Sequence, residues 1–230
     1  MHAPSKLSIA VSFDLICPWC LIGKRHLDAA IAQLRTELPE LAIDVEWQSF
    51  PLIPETPLDG VAYREFYVAR LGSPQAVAAR QAQVRAAAHA AGLTLALERI
   101  ETFPNTLLAH RLVRFARQEH GALAASDLVE NLFTRYFVQA ENIGDPRVLR
   151  QALLECGVVT PGEAGALLHH ELPWLPPVRD AQQPAQRSAT GVPHFVFNER
   201  QEVSGAVPPA VLLQAMRSAC QPAFGLMHTG

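Results

Sequence analysis

The chain has 230 residues, of which 49% are hydrophobic and 18% are charged. This composition is typical of a protein with a well-filled core, and it excludes a disordered chain. The formal net charge of −3 gives no electrostatic reason to expect nucleic acid as a partner. No run approaches the roughly 18 consecutive apolar residues that a membrane span requires, so no membrane association is expected.

The first 50 residues predict a strand, a helix and a second strand. Leu7–Phe13 mixes apolar and small residues as a buried strand does, and a helical periodicity begins at Pro18 and stops before Pro39. Leu41–Phe50 alternates apolar and polar residues again, before three prolines break regular structure. This order predicts a parallel β-α-β unit.

The middle of the chain is predicted to be helical. Asn105 is expected to cap one of the helices, and Gly121 is expected to end that helix. No segment between Tyr63 and His170 has the pattern of a strand. Helices are predicted over Ala62–Leu71, Gln75–Ala91, Asn105–His120, Ser126–Gln139, Pro146–Cys156 and Pro161–Leu172.

Strand patterns return near the end of the chain. Pro193–Asn198 and Gln201–Ser204 are separated by two residues, which suits a hairpin. Pro209–Met216 then predicts a closing helix. The predicted order is therefore β-α-β, a long helical block, and β-β-α.

The sequence Cys-Pro-Trp-Cys, residues 17–20, stands where the first strand gives way to the first helix. A zinc site needs about four ligands, and neither Cys156 nor Cys220 belongs to a second C-x-x-C pair, so no metal is expected. Two inert buried thiols would account for the sulfur atoms. That interpretation explains neither the proline nor the position at a helix start.

A redox-active dithiol accounts for all of these features. The free N–H groups and the positive dipole end of a helix N-terminus stabilise a thiolate, and Cys17 occupies that position. Cys20 follows one turn later on the same side, within disulfide distance. Pro18 suits a first helical turn because it has no N–H, and Trp19 is expected to form a partly exposed apolar lip. The motif predicts Cys17 as the nucleophile and Cys20 as the resolving thiol.

Charged residues flank this motif on both sides. Asp14 is the nearest acid upstream. It either assists proton transfer to or from Cys20 or hydrogen-bonds the start of the helix, and the sequence leaves both roles open. Lys24 and Arg25 follow one to two turns after the motif, where a solvated helix face is expected.

These motifs resemble the DsbA family of thiol–disulfide oxidoreductases, within it the FrnE-like branch. That branch is close to the 2-hydroxychromene-2-carboxylate isomerase and kappa-class glutathione transferase group. The resemblance implies an α/β fold, namely a thioredoxin fold with a long inserted all-helical domain. It places the thioredoxin-like domain at residues 1–60 plus 185–230 and the insert at residues 61–184. The matching segments are Asp14–Leu27, Phe103–Leu112, Leu132–Phe137, Thr190–Asn198 and Val203–Pro209.

The resemblance also implies roles for residues outside the cysteine motif. Pro193 matches the cis-proline that faces the active cysteines in thioredoxin folds, and Val192 would turn its backbone towards Cys17. His194 stands where a small hydroxyl residue is expected, and it either tunes the thiolate or is structural. In the isomerase and transferase relatives the region of Asn105 lies near the active-site cleft. The expected substrate-binding residues are therefore Pro18, Trp19, Asn105, Val192, Pro193 and His194.

The function that the resemblance implies is disulfide exchange with proteins or small molecules that contain thiols or disulfides. It requires no metal or organic cofactor and allows glutathione as a co-substrate. One alternative is a glutathione-dependent isomerase or transferase acting on small molecules, although those relatives usually carry serine where Cys17 stands. A second is a peptide-binding or chaperone module around Trp19 and Pro193. Because no export signal is recognised, we expect a cytoplasmic protein. We expect it to be a monomer or a homodimer.

Overall fold

The computed structural model describes residues 6–160, 162–163 and 189–221. The predicted helix over Pro161–Leu172 lies almost entirely outside these ranges. The strands are β1 (Lys6–Phe13), β2 (Ala42–Ser49), β3 (Val61–Ala62), β4 (Thr102–Phe103), β5 (His194–Phe197) and β6 (Gln201–Ser204). The helices are α1 (Pro18–Glu37), α2 (Tyr63–Leu71), α3 (Pro74–Ala90), α4 (Leu107–Phe137), α5 (Pro146–Glu155) and α6 (Pro209–Cys220).

Four strands form the central sheet in the order β2-β1-β5-β6. Strand β1 pairs in parallel with β2 and antiparallel with β5, and β5 pairs antiparallel with β6. Helix α1 joins the two parallel strands, as a crossover helix must, so the predicted β-α-β unit is confirmed. The β5–β6 hairpin and α6 form the predicted β-β-α half, and the two halves together have the order of a thioredoxin fold.

Helix α1 carries the cysteine motif and is held in place by an apolar face. Leu21, Leu27 and Leu34 recur at helical spacing and are buried. Full burial of a leucine side chain contributes roughly 1.5–3 kcal/mol, so this face fixes the helix firmly on the core. The helix begins with Pro18 at its first position and ends before Pro39, as the sequence predicts.

Helix α1 makes a close approach to the start of β5. A Cβ atom added to Gly23 would lie 2.9 Å from Cγ of Pro193 and 3.2 Å from the ring of Phe195. Both distances are shorter than ordinary van der Waals contact. The absence of a side chain at Gly23 therefore lets the helix that carries the cysteines pack directly against the Pro193 region.

The helical block differs from its prediction in two respects. Helix α4 runs through both predicted helices, with a break at Gly121, where φ is 86° and ψ is −174°. Glycine adopts this positive φ without the steric cost that a Cβ would bring, so the predicted interruption is correct in position. The N-cap residue is Thr106 rather than Asn105, although the Asn105 side-chain oxygen accepts a hydrogen bond from the Leu107 N–H at 2.9 Å.

The expectation that no strand lies between Tyr63 and His170 is wrong, because β4 lies there. Strands β3 and β4 pair antiparallel, Val61 opposite Phe103 and Ala62 opposite Thr102. Each strand has two residues, which is too short to show the alternation by which strands are recognised in a sequence. The predicted division into two domains stays a prediction, since its second boundary lies outside the described residues.

Side chains of α4 tie the helical block to α1 and the central sheet. The Trp47 indole on β2 donates to the Ser126 hydroxyl at 2.9 Å. The Lys24 ammonium forms an ion pair with Glu130 at 2.8 Å, and its side chain is only 7% exposed. The expectation of a solvated Lys24 is therefore wrong, because α4 covers this face of α1. No helix in the described ranges is long and apolar enough to cross a membrane.

Candidate active site at the start of helix α1

The two cysteines of the motif sit at the first turn of α1. Cys17 is the N-cap residue, with extended backbone angles of φ −91° and ψ 109°, and Pro18 opens the helix. The Cys20 N–H donates to the Cys17 carbonyl at 3.0 Å, and the Cys17 N–H donates to the Asp14 carbonyl at 3.1 Å. Both cysteines are free thiols. The position of Cys17 at a helix N-terminus, expected from the strand-to-helix transition, is therefore observed.

The environment separates the acidities of the two thiols. A hydrogen bond from the Cys20 thiol lowers the pKa of Cys17, and backbone N–H groups of Cys20 and Trp19 act in the same direction. Burial and the negative charge of Asp14 oppose this shift without reversing it. Burial raises the pKa of Cys20 well above that of an ordinary thiol. The site therefore favours one thiolate, on Cys17, and one protonated thiol, on Cys20.

The backbone before β5 closes one side of the sulfur. The Val192–Pro193 peptide bond is cis. The Val192 carbonyl oxygen lies 3.8 Å from Sγ of Cys17, and Pro193 is buried. Residues that are 175 positions apart in the sequence are thus brought together, as the resemblance implies.

A cavity opens on another side of Cys17. Its volume is about 320 Å³, and its walls come from the start of α1, from α2 and α3, from Phe103 of β4 and Phe137 of α4, and from residues of the connecting segments. Cys17, Pro18 and Trp19 line it, so three of the predicted site residues share this space. Cys17 is only 7% exposed, and it forms part of the wall of this cavity.

Asp14 is fully buried and hydrogen-bonded through both carboxylate oxygens. Oδ1 accepts from Nε2 of His110 at 3.1 Å and from the Thr106 hydroxyl at 3.2 Å. Oδ2 accepts from the Leu52 N–H at 2.6 Å, and the Ile16 N–H lies 3.4 Å from Oδ1. Most of these partners belong to other segments than the start of α1, and both predicted roles of Asp14 stay predictions.

Two predicted substrate-binding residues lie elsewhere. Asn105 is buried, and its amide nitrogen donates to the Thr56 carbonyl at 2.5 Å. His194 is buried on β5, where Nδ1 lies 2.8 Å from the Ser204 hydroxyl. Neither residue lines the cavity, and neither do Val192 and Pro193. Their roles in binding stay predictions.

Several features of the site region were not predicted from the sequence. Thr106 and His110 reach Asp14 from α4, a contact across more than 90 residues that no local pattern reveals. Tyr63, Phe66 and Tyr67 line the cavity from α2. Their i, i+3, i+4 spacing places them on one helix face, which is a signal that could have indicated an aromatic surface.

A thioredoxin-type sheet with a reduced cysteine pair at the start of its first helix defines the class of protein as a thioredoxin-fold dithiol protein. The chain belongs to the family of DSBA-like thioredoxin domains, whose family profile matches residues 8–217. The predicted family and fold class are thereby confirmed. Assignment to the FrnE-like branch stays a prediction.

Solved structures with the same fold include three of particular interest. A probable DsbA oxidoreductase from Streptomyces coelicolor has 27% identity and a TM-score of 0.79, covering 93% of this chain and 89% of that one. The cytosolic disulfide reductase DsbM from Pseudomonas aeruginosa, with GSH, has 18% identity and a TM-score of 0.57, covering 92% and 95%. A 2-hydroxychromene-2-carboxylate isomerase has 12% identity and a TM-score of 0.58, covering 93% and 96%. Comparison with curated protein sequences gives no match.

Proposed function

We propose that the protein is a thiol–disulfide oxidoreductase in which Cys17 is the nucleophile and Cys20 the resolving thiol. The observation that carries the proposal is the position of Cys17. Cys17 is the N-cap residue of α1 and part of the cavity wall, and its sulfur accepts a hydrogen bond from the Cys20 thiol. Family membership supports a redox enzyme of this class.

The exchange proceeds in two balanced steps. The Cys17 thiolate attacks one sulfur of a substrate disulfide, so that a mixed disulfide forms while the substrate S–S bond breaks and one thiolate leaves. The Cys20 thiol then loses its proton and attacks Sγ of Cys17, which releases the second substrate thiolate. The dithiol is oxidised by two electrons, and the substrate is reduced by two electrons. The reverse sequence donates a disulfide.

The high pKa of Cys20 supports this division of roles. A thiol that stays protonated does not compete for the first attack, and it becomes nucleophilic only when a mixed disulfide lies beside it. Because the direction of net exchange depends on the redox poise of the compartment, the sequence-based expectation of a reducing compartment favours reduction or isomerisation. Glutathione fits this scheme as a thiol co-substrate.

The test is reduction of insulin disulfides by purified variants, measured as turbidity with a thiol reductant. We expect Cys17→Ser to lose about a thousandfold or more of the rate, because an alcohol is not ionised at neutral pH. Cys20→Ser is expected to accumulate a mixed disulfide with substrate, visible by mass spectrometry. Full activity of Cys17→Ser with intact circular dichroism would overturn the proposal and favour a chaperone module.

The remaining cysteines provide matched controls. Cys156 and Cys220 are half-buried, and burial raises the pKa of Cys156 to about 11 and the pKa of Cys220 above its usual value. Neither is expected to be ionised at neutral pH. Cys156→Ser and Cys220→Ser should therefore leave the insulin rate unchanged.

A further inference from the structure

The cavity beside Cys17 has an aromatic interior that disulfide exchange does not itself require. Its volume of about 320 Å³ is at the lower end of the range for small-molecule sites. The ring of Phe66 stacks on Phe103 with 3.8 Å between centroids, and the rings of Tyr63 and Tyr67 lie 4.7 Å apart. These walls suit an apolar group attached to the sulfur that Cys17 attacks.

The polar groups of the interior carry no negative charge. Burial raises the pKa of both Tyr63 and Tyr67, so both phenols are protonated at neutral pH. Tyr63 also forms a hydrogen bond with Gln81, another residue of the cavity wall. An anionic ligand would therefore meet hydrogen-bonding groups and no carboxylate or phenolate from these walls.

The charged residues among the described cavity lining are two arginines, Arg70 on α2 and Arg80 on α3. Both are exposed, so they mark the solvent-facing part of the cavity. The Arg80 guanidinium lies 5.8 Å from the ring centroid of Trp19, which places positive charge next to the cysteine motif.

Neither arginine forms an ion pair with a carboxylate of the described residues, and the Arg80 hydrogen bond goes to the neutral Gln83 amide. Other arginines of the described chain do pair with acids. These are Arg25, Arg85, Arg117, Arg135, Arg147 and Arg217.

Resting on the proposed function, we propose that this cavity selects small disulfides in which an apolar group carries a negative charge. The apolar group occupies the aromatic walls, the anion faces Arg70 and Arg80, and the adjoining sulfur reaches Cys17. A guanidinium suits this task because it offers planar, paired N–H donors to a carboxylate and remains charged. The Cys17 thiolate forms a bond to the sulfur of the charged half while the substrate S–S bond breaks, and the other half leaves as a thiolate. Cys20 then loses its proton and attacks Sγ of Cys17, which releases the charged half as a second thiolate.

The experiment compares two aromatic disulfides that differ in charge. Reduced protein is mixed with anionic dithiobis(nitrobenzoate) or with neutral dithiodipyridine, and the released chromophore is followed by stopped flow. We expect the double variant Arg70→Gln/Arg80→Gln to react about fivefold more slowly with the anionic disulfide. Its rate with the neutral disulfide is expected to stay unchanged, which also shows that the Cys17 thiolate is intact.

Arg64→Gln is the matched control, since Arg64 is an exposed residue of α2 that does not line the cavity. It removes the same charge from the same helix and should leave both rates unchanged. The proposed charge selection is overturned if the ratio of the rates with the anionic and the neutral disulfide is the same in the wild type and all variants. It is also overturned if Arg64→Gln changes this ratio as much as the double variant does. If the wild-type protein reacts with neither disulfide faster than free cysteine does, the proposed function itself fails.

Discussion

Cys17 lies between two surfaces that differ in how closely they pack. On the sheet side, the Val192 carbonyl oxygen is 3.8 Å from Sγ of Cys17. Pro193 packs closely against α1 at Gly23, which has no side chain. On the helical side, α2 and α3 leave a cavity of about 320 Å³. The difference indicates two separate roles. The sheet side holds the Cys17 sulfur in position, and the helical side provides space for the part of the substrate attached to the sulfur that Cys17 attacks.

The largest effect is expected from filling the contact on the sheet side. Gly23→Val should lower the free energy of unfolding by about 3 kcal/mol, because its side chain would overlap Pro193 and push α1 away. The insulin rate should fall with it, measured at a temperature where the variant is folded. Urea unfolding gives the stability.

Ala29→Val controls for the β-branched residue in the same helix, since Ala29 is exposed. Ala29→Val should lower the free energy of unfolding by less than about 1 kcal/mol. If the two variants lose the same free energy of unfolding, the contact with Pro193 is not the cause of the destabilisation.

A smaller effect is expected at the junction between the two surfaces. Asp14→Asn should lower the free energy of unfolding by about 2 kcal/mol, because an amide cannot accept from both the Leu52 N–H and the donors of α4. The negative charge of Asp14 opposes ionisation of Cys17, so the same substitution should lower the pKa of Cys17 further. Iodoacetamide reactivity against pH measures this shift, and an upward shift would contradict it.

On the helical side, removal of an aromatic ring should change selectivity as well as stability. Phe66→Ala should lower the free energy of unfolding by about 1 kcal/mol, since the side chain is half-buried. The rate with neutral dithiodipyridine should fall about fivefold through lost apolar contact. Hydroxyethyl disulfide has no ring to place in the cavity, and its rate should stay unchanged; a parallel loss with both disulfides would contradict the assignment.

The smallest effect concerns the hydrogen bond between the two thiols. The hydrogen bond from the Cys20 thiol lowers the pKa of Cys17 more than any other interaction does. Cys20→Ala should therefore raise that pKa, whereas Cys20→Ser keeps a donor and should raise it less. Alkylation by iodoacetamide against pH distinguishes the two variants, and identical curves would exclude this hydrogen bond as the cause.

The same pKa shift has a consequence for the stability of the reduced protein. Between the lowered pKa of Cys17 and the pKa of an ordinary thiol, the unfolded chain binds more protons than the folded one. The contribution of Cys17 to stability therefore increases as pH rises through this window and is lost as pH falls through the lowered pKa. Cys20→Ala should raise the pKa of Cys17 and so reduce the pH range over which stability depends on pH. Urea unfolding at several pH values measures this dependence.

Much of the fold around the dithiol could be predicted from local pattern. The alternation in β1 and β2, the helical periodicity of α1 and the position of Pro18 are properties of neighbouring residues, and the structure has them where they were expected. The same holds for the β5–β6 hairpin. Two-residue strands such as β3 and β4 carry no periodicity and were missed.

The environment of the site was less predictable. The charge of Lys24 indicated a solvated face, but α4 covers it with Glu130. The buried amide of Asn105 donates to the Thr56 carbonyl, a partner that no local pattern indicates. In both cases the outcome depends on which segment, far away in the sequence, packs against the residue.

Local sequence pattern is enough to predict that a proline-containing cysteine pair begins a helix after a buried strand, because these features follow from side-chain periodicity and the missing proline N–H. The surroundings of Cys17 depend instead on how distant elements pack: they include the Val192 carbonyl, Asp14 with its partners from the α4 region, and the aromatic cavity with its two arginines. These are contacts between segments distant in the chain, and packing of whole elements sets them.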